Sequence, residues 1–571
     1  MTKRILYALC SAVLLALPWL GAPALTLLVA FVPLLILQQE LADADADAGQ
    51  TVQVSGTGQD PKKEKGKKKS TKAAEASAPA AGRRTNSRVK PLSRTPRLWP
   101  YLTLTFALWW GATTWWVGEA AVIGAVLAVV FGTALNLTAF MIYHAVWRRA
   151  PRALAYTLLV VGWISYEYLY ICGEISFPWL TLGNGFAHDV KLVQWYEYTG
   201  VLGGSLWVLI CNLLVFEAWK QRRHLQSWIA PAVAVLLPVI VSLGIYYSCE
   251  EPDQKVSVEV IQPNFDPYLV KFSTSEKEQT AIMLDLMAQA PKNVSFIVAP
   301  ETSIGEINDL WEMMLPLAQP VQSIKNLLAS KYAGATVICG AATYQQYPDQ
   351  WHASHTARTD GKIWYDIYNS ALAIDTSRSI GIHHKSQLVA GVEKMPYYNI
   401  FKHLDFLTVD LGGITGQHGV DSVRKVFTSP QGTRFGVAIC YESIYGEYFT
   451  EFIRNGAQLM FVITNDGWWG DTPGYRQHFS YARLRAIETR RSIARSANTG
   501  ISGFINARGD VGETLGWDVR GALTSQVGLH DRMTFYTRYG DVIGRISWYV
   551  FALGLLYFMA YRVRKRSHLN D

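Results

Sequence analysis

Eight apolar stretches, each close to the length of a membrane-crossing helix, constrain the fold of this 571-residue chain more than any other feature. A helix needs about 20 mostly apolar residues to cross the hydrocarbon core of a bilayer. The stretches cover residues 5–20, 22–37, 98–116, 121–146, 153–172, 199–218, 228–247 and 542–562. We therefore predict an α-helical membrane bundle of about eight spans.

The first apolar stretch has a second interpretation. Lys3 and Arg4 precede it and the small residues Gly21 and Ala22 follow it, which is also the pattern of a secretory signal peptide. A second apolar stretch begins immediately afterwards, and this favours a pair of membrane helices.

Lysine and arginine clusters fall on every second loop between the predicted spans and at both ends of the chain. The clusters lie at residues 3–4, 83–97, 148–152, 220–223 and 562–566. Cytoplasmic loops carry such clusters, so we predict that both termini are cytoplasmic and that residues 249–541 lie on the opposite side. The net charge of +8 then reflects topology and does not indicate a nucleic-acid site.

The segment 42–97 has no apolar periodicity. It contains an Ala-Asp repeat, a lysine-rich run and then mainly Ala, Ser, Thr and Gly. Such a composition predicts a disordered, basic cytoplasmic loop. Its lysines could contact anionic lipid headgroups, although a solvated charge run without a dedicated role is the more ordinary interpretation.

The segment 249–541 differs from the rest because short β-rich runs alternate with helical patterns. The runs are residues 256–261, 295–299, 336–338, 370–374, 435–439, 460–463 and 500–505, and the helical patterns include 276–290, 444–455 and 476–496. This alternation predicts an α/β domain. The predicted organisation is 1–41 for two membrane helices, 42–97 for the loop, 98–248 for five helices, 249–541 for the domain and 542–571 for a last helix and basic tail.

Three of the predicted strands end in residues that can do chemistry: Glu301, Lys385 and Cys440. Taken singly, the acid could cap a helix, the lysine could be solvated, and the cysteine could be a core residue. Together, an acid, a cation and a thiol are the minimum set for nucleophilic acyl transfer. A thiol is mostly protonated at neutral pH, so the carboxylate would take its proton and the ammonium would stabilise the negative charge.

In this order and on these strand ends, the three residues resemble the Glu-Lys-Cys triad of the carbon–nitrogen hydrolase (nitrilase) superfamily. Further similar motifs cover residues 465–470, 477–478, 483–488, 495–500 and 534–541. The resemblance implies a nitrilase-like α-β-β-α sandwich for residues 249–541. Seven predicted spans before the domain and one after it, together with residues 177–180 and 260–264, resemble the bacterial apolipoprotein N-acyltransferase family.

That family resemblance implies a reaction and its substrates. An acyl chain would pass from a membrane phospholipid to Cys440 as a thioester, and then to the α-amino group of an apolipoprotein's N-terminal diacylglyceryl-Cys, in a ping-pong sequence. Glu301 would act as base and acid, while Lys385 and the backbone N–H of Tyr441 would stabilise the oxyanion. The resemblance also implies a periplasmic domain on a bacterial inner membrane, a monomer, and no metal, organic cofactor or nucleic acid.

The family usually has Leu-Val-Pro-Phe-Gly-Glu after the lysine, whereas residues 388–393 here read Leu-Val-Ala-Gly-Val-Glu. Glu393 keeps the acid, and we expect it to position Lys385 or to carry a proton. Glu442, beside the nucleophile, could orient Lys385 or the incoming amine, with Tyr441 in a supporting role. Candidate residues for an acyl pocket or an interfacial belt are Trp115, Trp116, Trp179, Trp468 and Trp469.

Two other functions fit parts of the sequence. A membrane-tethered nitrilase-type amidase would use the same triad on small soluble amides. A transporter would need polar residues within its spans, and only Asn136, Glu167, Asn212 and Glu217 are candidates. The six cysteines show no metal-ligand spacing. Whether Cys249 and Cys339 pair is left open by the sequence.

Overall fold

The apolar stretches form long helices in the computed structural model, which describes residues 2–55, 97–265, 275–304, 310–394, 397 and 417–570. Seven helical segments within these ranges are long and apolar enough to cross a membrane. They are Thr2–Leu20, Ala24–Ala44, Val122–Trp147, Arg152–Cys172, Tyr196–Lys220, Leu225–Ser248 and Val542–Lys565.

The stretch 98–116 forms a shorter helix, Trp99–Thr114, of 16 residues. At 1.5 Å per residue it is about 24 Å long, less than the hydrocarbon thickness of a typical bilayer. It packs against the helices Thr2–Ala16 and Val122–Trp147. Beyond its end, Trp116 is buried against Trp179, 4.9 Å away between ring centroids.

The predicted loop 42–97 starts later than expected. The helix Val32–Ser55 continues through the Ala-Asp repeat, because alanine is the strongest helix former among the residues. The remainder of this predicted loop, residues 56–96, lies outside the described residues.

The domain that follows contains two sheets. The first has the strand order β14-β1-β2-β4-β6-β5, with β3 also paired to β4 and β7 to β6, and the second has the order β13-β12-β11-β10-β9-β8. The strands are β1 Lys255–Gln262, β2 Phe296–Val298, β3 Leu310–Trp311, β4 Thr336–Tyr347, β5 Arg358–Thr359, β6 Trp364–Ile374, β7 Gly381–His384, β8 Val426–Thr428, β9 Arg434–Ile439, β10 Leu459–Thr464, β11 Ile493–Ala497, β12 Ser502–Ile505, β13 Val511–Leu515 and β14 Gly521–Gly528.

The two sheets pack face to face over a shared apolar core. Phe296 of β2, Phe435 of β9 and Phe461 of β10 meet there with ring centroids 5.1–5.4 Å apart. Helices cover the outer faces: Glu276–Met287 and Gln319–Lys331 on the first sheet, Gly446–Arg454 and Pro473–Thr489 on the second. The predicted α-β-β-α sandwich is therefore confirmed. The helices on the second sheet share one continuous apolar cluster with the membrane bundle.

One predicted helix, residues 476–496, ends earlier than expected. The helix Pro473–Thr489 stops at Arg490, whose φ of 49° is left-handed, and the chain then enters β11. Strand β11 lies between β10 and β12 with every residue buried. Its polar side chains, Arg495 among them, hide the apolar alternation that would have identified a strand in the sequence.

Buried ion pairs connect the domain to the helical bundle. Arg490 donates to the Glu197 carboxylate at 2.5 Å and to the side chain of Gln194 at 2.7 Å, and all three residues are buried. Arg532 approaches the other oxygen of Glu197 at 3.1 Å. Residues 194 and 197 belong to the membrane part of the chain, so this network fixes the orientation of the sandwich on the helices.

We expect R490M to lower the free energy of unfolding by about 3–5 kcal/mol, because it leaves a buried carboxylate without its main partner. R476M is the matched control, since Arg476 is 57% exposed in its ion pair with Asp471 and such pairs contribute less than about 1 kcal/mol. Denaturant titrations in detergent micelles, followed by tryptophan fluorescence, measure both values. Equal losses of unfolding free energy in R490M and R476M would contradict the role of Arg490 at this junction.

Candidate active site

Residues from three separate strand ends meet at one end of the sandwich. Glu301 follows β2, Lys385 follows β7, and Cys440 follows β9. The Lys385 Nζ lies 3.1 Å from Glu301 Oε1 and 2.8 Å from Glu393 Oε1, and all four residues are buried. The structure thus brings together the residues that the sequence singled out, with one ammonium between two carboxylates.

Glu301 is fixed by two asparagines as well as by Lys385. The Asn369 amide donates to Glu301 Oε1 at 2.7 Å and to Glu393 Oε1 at 3.0 Å. The backbone N–H of Asn465 donates to Glu301 Oε2 at 3.0 Å. Each carboxylate oxygen therefore has a donor, and the orientation of Glu301 is set before any substrate arrives.

The charges in this cluster depend on one another. Burial alone would lower the pKa of Lys385, but the carboxylates of Glu301 and Glu393 raise it well above its usual value. Burial would raise the pKa of Glu393, yet Lys385, followed by His418, brings it below its ordinary value. The lysine is accordingly an ammonium and Glu393 a carboxylate at neutral pH.

Cys440 is presented on a sharp turn between β9 and the short helix Cys440–Ile444. Its φ of 49° lies in the left-handed region, which non-glycine residues rarely adopt. Burial, and then the charge of Glu301, raise the pKa of the thiol, while Lys385 acts in the opposite direction. The thiol is protonated in the resting site, so a base is needed to activate it.

Glu442 is held by backbone and side-chain contacts next to the Cys440 turn. Its carboxylate accepts from the backbone N–H of Ser386 at 2.7 Å and of Ile439 at 2.8 Å, and it also contacts Tyr448 and His383. The side chain is fully buried. It orients Lys385 only through the backbone of the next residue, and it ties the Cys440 turn to β7.

Tyr441 joins the nucleophile to the membrane part. Its hydroxyl donates to the carbonyl of Ser176 at 2.8 Å, in the loop that follows the helix Arg152–Cys172. The backbone N–H of Tyr441 lies in the first turn of the short helix, where N–H groups lack helical partners. Its role as an oxyanion donor stays a prediction.

The candidate tryptophans divide into two groups. Trp179 is fully buried, and its indole donates to Gln477 at 2.6 Å, so it packs the bundle against the domain and has no surface for substrate. Trp469 is half-buried and contacts Trp116 and Trp179 at 4.9 and 5.9 Å between ring centroids. Trp468 is also half-buried. Trp468 and Trp469 therefore remain partly accessible, and their contact with an acyl chain stays a prediction.

Sequence reasoning missed several residues of this site. Asn369 lies within β6, and the sequence signal for it was an amide side chain in a buried strand. His418 is buried beside Glu393, and its backbone N–H donates to the Glu393 carbonyl at 3.1 Å. Neither ring nitrogen of His418 has a hydrogen-bond partner among the described residues. Asp466, His478 and Arg495 were noted only as motif matches, yet they form one buried network behind Cys440.

Alkylation of Cys440 by iodoacetamide is expected to require higher pH than alkylation of free cysteine, because the pKa of the thiol is raised. E301Q removes a charge that raises this pKa, so its pH profile should move to lower pH. K385M removes a charge that lowers it, so its profile should move to higher pH. Mass spectrometry of the Cys440 peptide measures the rates, and shifts in the same direction would contradict this arrangement of charges.

Comparisons with known proteins agree with this architecture. The carbon–nitrogen hydrolase family model matches residues 260–534, and the model of the apolipoprotein N-acyltransferase N-terminal domain matches residues 87–214. An apolipoprotein N-acyltransferase of Allorhizobium ampelinum is 30% identical over 431 residues, covering 70% of this chain and 74% of that protein. The chain belongs to the apolipoprotein N-acyltransferase family. The Chlorobaculum tepidum apolipoprotein N-acyltransferase is 28% identical over 446 residues, covering 76% of this chain and 82% of its own length.

Among solved structures, Saccharomyces cerevisiae Nit3, a member of the nitrilase superfamily, aligns with 49% of this chain and 92% of its own. The identity is 14% and the TM-score is 0.35. Family membership makes the protein an acyltransferase, and its long apolar helices make it a membrane protein.

The altered loop, residues 388–393, still brings its acid, Glu393, to the site. Gly391 has a φ of 82°, and its N–H donates to the Lys394 carbonyl at 2.8 Å, which closes a tight turn. The backbone N–H of Val389 holds Glu393 Oε2 at 2.8 Å. Glycine at 391 thus provides the reversal that presents Glu393 to Lys385.

All six cysteines are free thiols, so Cys249 and Cys339 do not pair.

Proposed function

We propose that this protein transfers an acyl chain from a membrane phospholipid to the α-amino group of an apolipoprotein's N-terminal diacylglyceryl-Cys. The observation that carries the proposal is a Lys385 ammonium held between the Glu301 and Glu393 carboxylates beside Cys440, in a chain with seven membrane-length helices. The names of the relatives support the same reaction.

In the first half-reaction the Cys440 sulfur attacks the ester carbonyl of the phospholipid. Glu301 accepts the thiol proton, and the carbon–sulfur bond forms as the carbonyl oxygen becomes an oxyanion. When the oxyanion collapses, the ester oxygen leaves and takes the proton from Glu301, so lysophospholipid departs. Cys440 then carries a thioester, and Glu301 is a carboxylate again.

In the second half-reaction the amine of the lipoprotein attacks the thioester. Glu301 accepts a proton from the attacking nitrogen, and the tetrahedral intermediate collapses to an amide. The Cys440 sulfur leaves and recovers the proton from Glu301. The enzyme returns to its starting state, as a ping-pong sequence requires.

Lys385 and the N–H of Tyr441 stabilise the oxyanion in both half-reactions. The ammonium stays charged throughout because two carboxylates neighbour it. Glu393 holds Lys385 in place while Glu301 exchanges its proton. Removing one preformed oxyanion donor typically lowers the catalytic rate by about 100- to 1,000-fold.

The two substrates determine where the site must lie. Both are anchored in lipid, so we propose that the domain lies on the periplasmic face of the inner membrane, with both termini in the cytoplasm, and that the protein acts as a monomer. Trp468 and Trp469 provide exposed aromatic surface near the site for the acyl chain. Exclusion of water there protects the thioester from hydrolysis.

The test uses the purified protein in phospholipid vesicles with a synthetic diacylated lipopeptide. With a free α-amine, the peptide should gain the mass of one acyl chain, and with an acetylated amine it should gain none. Small soluble amides serve as the alternative substrate. Hydrolysis of these amides without acylation of the lipopeptide would show that the chain is a membrane-tethered amidase.

A further inference from the structure

The nucleophile is held in a backbone conformation that its own sequence does not favour. A cysteine with φ of 49° is in the left-handed region, and such a residue persists only when its surroundings impose the geometry. The direction of the Cys440 side chain depends on this φ. The groups that fix the two peptide planes next to Cys440 therefore decide where its sulfur points.

Of these two peptide planes, the one after Cys440 is fixed by buried side chains, because the carbonyl of Cys440 accepts from Ser443 Oγ at 2.7 Å and faces His478 Nε2 at 3.2 Å. One peptide before the turn, the N–H of Ile439 donates to Glu442 Oε2 at 2.8 Å. A carbonyl oxygen only accepts hydrogen bonds, so the contact between the Cys440 carbonyl and His478 is a hydrogen bond in the state in which Nε2 of His478 carries a hydrogen. The same nitrogen lies 3.1 Å from Ser443 Oγ.

His478 is itself held by charged groups. Its Nδ1 lies 3.0 Å from Asp466 Oδ1, and the other oxygen of Asp466 accepts from Arg495 Nη2 at 2.8 Å. Thr464 Oγ1 donates to Asp466 at 2.9 Å. The side chains of Asp466, His478 and Arg495 are fully buried.

Burying charged groups is costly unless they are paired, and here Asp466 pairs with both His478 and Arg495. Among the described residues, no hydrogen bond joins these three side chains to Glu301 or Lys385, and at one end the network terminates on the Cys440 backbone. At the other side, the rings of Trp469 and Trp179 lie 5.5 and 6.0 Å from the His478 ring, between centroids. His478 therefore stands between the tryptophans that join bundle and domain and the turn that carries the nucleophile.

We propose that His478 is a positioning residue that, together with Ser443, holds the Cys440 carbonyl and so aims the sulfur between Glu301 and Lys385. The Asp466–Arg495 pair fixes the ring of His478 for this purpose. The inference rests on the proposed thioester chemistry, because it assigns His478 to the formation of the acyl-enzyme.

Two amide substitutions separate this role from a purely structural one. In H478Q the side-chain amide reaches the position of Nε2, so it can still donate to the Cys440 carbonyl. In H478N the amide reaches only the position of Nδ1, so it keeps the contact with Asp466 but loses the one with Cys440. A positioning role predicts that H478Q is the more active variant, whereas a structural role through Asp466 predicts the reverse.

The measurement is the rate of acyl-Cys440 formation from phospholipid, followed by mass spectrometry in wild-type protein and in both variants. We expect H478N to be about 100-fold slower than wild type, with an unchanged half-saturating phospholipid concentration, because a nucleophile misplaced by about 1 Å loses rate on this order. H478Q should stay within about tenfold of wild type. Rates for H478N equal to or above those for H478Q would overturn the proposal.

The matched control is S480A, since Ser480 lies on the same helix, is buried, and bonds only to the nearby Gln477 carbonyl. It should acylate at the wild-type rate. S443A removes the second donor, whose Oγ also lies 3.1 Å from His478 Nε2, without a substitution in that helix. It should also slow acylation, so wild-type rates in S443A would count against the proposal even if the His478 variants unfold. Absence of an adduct in wild-type protein would instead contradict the proposed function.

Discussion

Acyl transfer by C440A is expected to fall by about a million-fold, the loss typical of an enzyme deprived of its nucleophile. The substitution removes the only atom on which the acyl chain can be held between the two half-reactions. Phospholipid cleavage and lipopeptide acylation should therefore disappear together. Transfer to the lipopeptide from labelled phospholipid, followed over long incubations, measures the residual rate.

The matched control for this prediction is C339A. Cys339 is another buried free thiol of the same domain, in β4, and lies in the apolar core beneath the helices of the first sheet. C339A should retain full transfer activity if it folds, as judged by its circular dichroism. Substantial transfer by C440A would mean that the acyl chain passes directly between the substrates.

E301Q is expected to slow acyl-enzyme formation by about 1,000-fold, within the range that general acid–base catalysis contributes. Glutamine has nearly the shape of glutamate and can still accept from Asn369 and Lys385, but it cannot take the thiol proton. The thiol of Cys440 is protonated in the resting site because burial and Glu301 raise its pKa. The loss should therefore shrink as the pH rises and the thiol ionises without help.

E278Q provides the matched control, because Glu278 is an exposed carboxylate in the first turn of the helix Glu276–Met287. Its rate should equal that of wild type at every pH. A loss in E301Q that stays constant as the pH increases would show that Glu301 positions other groups and does not accept the proton.

The sequence was most informative where chemistry depends on residue type at a strand end. Glu301, Lys385 and Cys440 each follow a strand, and residues at the ends of buried strands converge at one edge of a sheet. The alternation of strands with helices predicted an α/β domain, and the family resemblance implied the sandwich. These features depend on local pattern and on residue identity, which a single sequence contains.

Other parts of the site depend on long-range packing. The left-handed turn at Cys440 has backbone groups bonded to Glu442, Ser443 and His478, of which the last lies 38 residues away. Part of strand β11 was predicted as helix because its buried arginine made the segment look polar, and this arginine is paired with an aspartate from the short helix Asp466–Trp469 that follows β10. Glu442 bonds to a backbone N–H near Lys385 and not to its ammonium. No local pattern specifies such pairings.

The most direct test of the account is mass spectrometry of the purified protein after incubation with phospholipid. We predict a fatty-acyl adduct on Cys440 that persists when phospholipid is the only substrate. When a diacylated lipopeptide with a free amine is added, the adduct should disappear and the peptide should become acylated to a matching extent. A lipopeptide that becomes acylated while Cys440 never carries an adduct would contradict the central claim.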